Sequence, residues 1–195
     1  YFSSNLRRKR YVFIFAGSPT NVKRDNVILW AGRVLYLKNL RRLIKVFSDL
    51  KGLSYELHLV GDGPEKEKLE GVVKECGAED RIKFFPSMSH QELMAKLASA
   101  AAVVLPSISD VGPNIVAEAI GADVPVIMTK ESGYAEDFYD SVIPIDPLDE
   151  TDLRQKLEEF MKYPAERTLP KFGFNRSWTA ATQDWIKLFN EICAS

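Results

Sequence analysis

Two carboxylates set eight positions apart, Asp110 and Glu118, stand in the stretch LPSISDVGPNIVAEAIGADVPV, residues 105–126. The stretch reads as the end of a buried strand, a loop of small residues and a short helix. Residues 101–105 are an apolar run closed by Pro106 and Ser107, which suits the carboxyl end of a strand buried on both faces. Gly112 followed by Pro113 fits a helix start with the proline at the first helical position, where its missing N–H costs nothing. The unpaired N–H groups of Asn114, Ile115 and Val116 then point back towards the strand end and form a ready anion site. Ile115, Val116, Ala119 and Ile120 make one apolar helix face, and Asn114 and Glu118, four apart, share its edge. A carboxylate beside a phosphate site repels phosphate, so Glu118 is better used on hydroxyls such as a ribose diol. The competing reading is that Asp110 caps the helix and Glu118 is solvated.

Groups that complement such a site come earlier in the chain. Arg33 and Lys38 lie five apart, and a guanidinium fork with a mobile ammonium suits the two phosphates of a diphosphate. A surface pair on a loop is the alternative. Gly61-Asp62-Gly63-Pro64 permits a tight turn but lacks the full G-x-G-x-x-G spacing, so it is weak on its own.

These residues fall at the ends of apolar runs. From residue 27 the chain alternates short apolar segments with amphipathic ones, the pattern of a parallel α/β sheet. Strands are expected over 27–31, 55–60, 81–85, 101–105, 124–129 and 142–145. Helices are expected over 39–51, from Pro64 to a stop at Gly77, after Ser89, after Pro113, briefly over 131–137, from Asp149 to before Pro164, and from about Asn175. Asn39 and Asp149 are candidate caps, and Ser89 with Glu92 makes a capping box. In an open α/β sheet, ligands bind beyond the carboxyl ends of the strands, at the switch in strand order. The strand ends gather Gly32-Arg33, Gly61-Asp62-Gly63, Pro86-Ser87-Met88, residues 107–114 and Ser132-Gly133 into a site for a phosphorylated small molecule.

The 195 residues suit one domain, and a net charge of −1 argues against a dedicated nucleic-acid binder. No apolar run has the length of a membrane span and no signal-peptide pattern is present. Cys76 and Cys193 are too few for a disulfide framework or a zinc site, so a reduced, cytoplasmic protein is the default. The basic run at residues 7–10 could attract anionic lipid at the inner face of a membrane, although a solvated chain end is the simpler account. The start at Tyr1 rather than methionine suggests a piece of something longer.

Taken together, Gly32-Arg33 with Lys38, Gly61-Asp62-Gly63-Pro64, Pro106-Ser107 and Asp110-x7-Glu118 followed by Ala119 and Pro125-Val126 resemble the donor half of the family 4, or group 1, glycosyltransferases of GT-B fold. The resemblance covers roughly residues 27–163 in the expected order. It implies a Rossmann-like three-layer α/β sandwich with a mainly parallel six-stranded sheet, one half of a GT-B fold. It also implies a nucleotide-diphospho-sugar donor, a retaining transfer to an unknown acceptor (glycan, lipid or small molecule), and no required metal or other cofactor. Arg33 and Lys38 would hold the diphosphate and stabilise the leaving group. Asp110, where the family usually has glutamate, would face the donor sugar, and Glu118 would bind the ribose hydroxyls. Gly32, Gly61, Asp62 and Gly63, the Gly112-Pro113 turn, and the backbone of Asn114, Ile115 and Val116 would line the phosphates or sugar, with Ser87 and Met88 by the base. Asn39 stands where a glycine is usual. Residues 1–26 would be an extension from a missing amino-terminal acceptor domain, and residues 164–195 a linker and closing helix.

Two other readings of the same site are a non-catalytic nucleotide-binding or docking module and a GT-B-type nucleotide-sugar epimerase. His58, alternating with Leu57 and Leu59, is expected to be structural, and His90, at a helix start near the base, to lie on the surface. Trp178 and Trp185 are expected to pack, and Glu136 to stand behind the site.

Overall fold

Alternation along the first strand sets the layering. In the computed structural model, which describes residues 24–133 and 141–163 together with the helical positions Gln183, Ile186, Lys187 and Asn190, β1 spans Val27–Ala31. Ile28 and Trp30 enter one buried cluster and Leu29 the other, as the two-residue period of a strand requires. Five further strands are β2 (Glu56–Val60), β3 (Ile82–Phe85), β4 (Ala102–Leu105), β5 (Val126–Thr129) and β6 (Ile143–Ile145). Every described pairing is parallel, in the order β3-β2-β1-β4-β5-β6.

Helices cover both faces. On one side lie α1 (Leu40–Asp49), α2 (Lys66–Glu75) and α5 (Glu150–Lys162). Leu43, Ile44 and Phe47 of α1, Leu69 and Val73 of α2 and Leu157 and Phe160 of α5 pack on Trp30, Leu57 and Ile127. On the other lie α3 (His90–Ser99) and α4 (Asn114–Gly121), where Leu97, Ile115, Val116 and Ala119 pack on Leu29, Val103, Leu105 and Met128. A sheet buried on both faces needs near-continuous apolar strands, and β4 and β5 are buried at every position. This is the α/β three-layer arrangement expected from the sequence. The chain builds outward from β1 to β3, then returns to the far side of β1 with β4, so the order switches between β1 and β4.

Several local expectations are corrected. Asn39 does not cap α1 with its side chain; it adopts the left-handed conformation, φ 57°. Asparagine tolerates that region better than most residues. The first residue of α4 is Asn114, not Pro113, which takes the N-cap place with extended backbone. Pro64 precedes α2 by a turn rather than starting it. Glu131, Ser132 and Gly133 are not helical; Ser132 instead forms a parallel bridge with Asp110. The capping box of Ser89 and Glu92 and the Asp149 cap are both present. The readings on residues 1–23, on Glu136 and the rest of 134–140, and on Trp178 and Trp185 lie outside the described residues.

Candidate functional site

At the switch point the ends of β1 and β4 diverge, and the loops that follow them are tied together before any side-chain chemistry is considered. Ile108 N–H donates to the Leu37 carbonyl (2.8 Å), Asp110 N–H to Glu131 (3.1 Å) and Gly133 N–H to Asp110 (2.9 Å). Asn39 Nδ2 donates to the carbonyls of Pro106 (3.1 Å) and Pro147 (2.9 Å), and Arg42 also reaches Pro147. The loop after β4 is therefore clamped between those after β1 and β5.

Within this clamp Lys38 Nζ lies 2.5 Å from Asp110 Oδ2, and the buried Ser107 hydroxyl donates to the same oxygen at 3.2 Å. Asp110 is a partner of Lys38 rather than a helix cap. Arg33 is exposed and makes no hydrogen bond or ion pair among the described residues. Of the three N–H groups expected at the start of α4, that of Val116 is already used by the Pro113 carbonyl (3.0 Å). Those of Asn114 and Ile115 have no acceptor among the described residues, so two donors rather than three are open.

The glycine turn after β2 exists because two backbones meet there. A Cβ on Gly61 would lie 1.9 Å from the Gly32 carbonyl oxygen, and one on Gly63 2.2 Å from that of Val34. Val34 N–H donates to Asp62 O at 2.9 Å across the same contact. These glycines fix the Gly32-Arg33 backbone against β2.

Asp62, within that turn, makes contacts that the sequence pattern does not report. Its carboxylate ties the turns together, accepting from Lys66 Nζ (2.8 Å) and from Ser87 N–H (2.7 Å). Lys66 first, then the Ser87 N–H, draws the carboxyl from its ordinary 3.8 to about 2. A depressed folded pKa gives stability that is present above the unfolded value and lost as pH falls through the folded one. Protection of the Ser87 amide from hydrogen exchange should accordingly hold above 3.8 and fall as the pH approaches about 2. In Asp62→Ala it should be weak throughout. Protection that ignored both changes would contradict the tie.

Glu118 lies at the edge of α4, and His90 Nε2 approaches its Oε1 to 3.0 Å. Sequence reasoning missed this contact, which spans 28 positions. His58 is half-buried, paired with Glu56 at 2.7 Å, and burial pushes its imidazole below the ordinary value; it stands on β2 as a structural residue. Among the described residues no cluster of three or more His, Cys, Asp or Glu side chains is placed to hold a metal ion, and no helix is long and apolar enough to cross a membrane.

Comparison with known proteins gives this geometry a family. The model of the family Glycosyl transferases group 1 matches residues 13–171. The chain belongs to the group 1 glycosyl transferases. Among its relatives, a 2-deoxystreptamine glucosyltransferase of Streptomyces kanamyceticus is 27% identical over 121 residues, covering 61% of this chain and 30% of that protein. A lipopolysaccharide core biosynthesis glycosyltransferase of Rhizobium meliloti is 32% identical over 107 residues, covering 55% and 30%. This group 1 chain thus spans about a third to a half of the length of the curated relatives it matches. In fold it is similar to sucrose-phosphate synthase from Thermosynechococcus elongatus, with TM-score 0.73, 22% identity, and 86% of this chain and 45% of that one covered. It is also similar to the C-terminal domain of a group 1 family glycosyl transferase from Francisella tularensis, with TM-score 0.66, 18% identity, and 75% and 85% covered. The Rossmann-like α/β fold is that of one half of a GT-B transferase.

Proposed function

We propose that this chain is the donor-binding half of a retaining glycosyltransferase, and that the cleft between the β1 and β4 loops takes a nucleotide-diphospho-sugar. The observation that carries the reading is that Arg33 and Lys38 follow β1, the two open N–H groups of α4 follow β4, and the Lys38–Asp110 pair ties those two loops together at the switch point. Cations and helix-terminal donors in one cleft suit a diphosphate. Arg33 and Lys38 stabilise charge that grows on the departing diphosphate. The bond from the anomeric carbon to the distal phosphate oxygen breaks with its electron pair going to phosphate. The acceptor hydroxyl forms the new bond on the face the diphosphate leaves and passes its proton to the departing phosphate oxygen. Asp110, already held by Lys38 and Ser107, faces the sugar, and Glu118 takes the ribose hydroxyls. Tyr36 and Leu37, after β1, and Val111, after β4, are exposed apolar residues, which supports a second, acceptor-binding half closing over these loops.

Calorimetric titration with UDP, GDP and ADP tests the reading. One of the three should bind saturably, and Glu118→Ala should weaken it on the order of tenfold to a hundredfold through loss of charge-assisted hydrogen bonds. Equal affinity in wild type and variant would sink the assignment of Glu118.

A further inference from the structure

His90 is the first residue of α3, and its imidazole is the one side chain hydrogen-bonded or ion-paired to the Glu118 carboxylate among the described residues. A carboxylate only accepts, so the Nε2 facing it carries the proton. The imidazole is largely exposed, but the backbone that delivers it is fixed at three consecutive residues. Ser87 N–H is held by Asp62 at 2.7 Å, Met88 packs against the apolar cluster under α3 and α4, and Ser89 closes the capping box with Glu92. Glu118 is carried on α4, whose Ile115 and Val116 are buried in that cluster. Both ends of the contact are thus set by the same core.

We propose that His90 is a positioning residue for Glu118: by holding Oε1 it turns Oε2 towards a vicinal pair of ribose hydroxyls and makes the site discriminate a ribonucleotide from its dideoxy counterpart. The proposal rests on the donor-site reading above. A carboxylate fixed at one oxygen presents the other in a set direction, whereas a free one loses rotamer freedom each time ligand binds. Nothing in this role requires His90 to touch the nucleotide.

The test compares the affinity of UDP, GDP and ADP with that of their 2′,3′-dideoxy forms in wild type, His90→Ala, His90→Gln and Glu118→Ala. Wild type should favour the ribo form by about tenfold or more. His90→Ala should reduce that preference roughly three- to fivefold with the dideoxy affinity unchanged, and His90→Gln, whose amide also donates, should restore most of it. A His90→Ala variant that keeps the wild-type preference, or that weakens both forms equally, overturns the proposal. Glu118→Ala separates the two levels. If it abolishes the preference while His90→Ala does not, only the role of His90 falls; if it retains the preference, the ribose reading of Glu118 falls.

Discussion

Lys38→Ala is expected to cut sugar transfer by the full protein roughly 10³-fold, and Arg33→Ala roughly 10²-fold, within the range found when a donor to a developing oxyanion is removed. The difference follows from what each loss leaves behind. Arg33 has no partner among the described residues, so its removal subtracts one cation. Lys38 lies 2.5 Å from an Asp110 carboxylate that is only 10% exposed. Its removal leaves that anion with the Ser107 hydroxyl alone, beside the proposed diphosphate. An unpaired, partly buried charge costs more than the lost contact. Lys38→Ala combined with Asp110→Asn should therefore bind nucleoside diphosphate more tightly than Lys38→Ala alone, although transfer remains slow. Affinities of the single and double variants check this; a double variant that binds no better would mean that the unpaired Asp110 charge is not felt at the phosphates.

Gly61→Ala should destabilise the fold by about 3–5 kcal/mol, as read from denaturant unfolding, because strain and overpacking act together. The added Cβ would sit 1.9 Å from a backbone oxygen of Gly32, and the φ of 136° is one that side chains rarely adopt. Neither neighbour can yield without moving β1 relative to β2, whose register holds Ala31 against Val60. Gly71→Ala is the control. It lies within α2 with nothing within 4 Å of the added Cβ, so the substitution should stabilise by about 0.5–1 kcal/mol through helix propensity and the reduced freedom of the unfolded chain. Similar effects at the two positions would contradict the close approach of the β1 and β2 loops.

Much of this architecture is legible in local sequence. The strands begin within two residues of their expected places, since a buried parallel strand announces itself as a short apolar run between turn residues. The Ser89–Glu92 box and the Asp149 cap are equally local. What sequence pattern does not report is which loops meet. Asn39 reads as a helix cap because its type and position suit one, yet its amide bridges Pro106 and Pro147, 67 and 108 positions away. Asp62 reads as part of a phosphate turn, and its carboxylate also ties Ser87 to Lys66. The Lys38–Asp110 and His90–Glu118 contacts depend on crossovers that bring β1 beside β4 and α3 beside α4, a consequence of strand order rather than of any motif. The start of α4 differs by one residue because Pro113 is extended, and the Pro113 carbonyl takes the Val116 N–H.

The central claim is that a nucleoside diphosphate binds at the switch between β1 and β4. Amide shift mapping of the labelled chain during titration with UDP, GDP and ADP tests it most directly. One nucleotide should saturate, with its largest shifts at Gly32, Arg33, Asn114 and Ile115 and smaller ones near Ser87 and His90. Saturable shifts confined to residues away from these strand ends would contradict it.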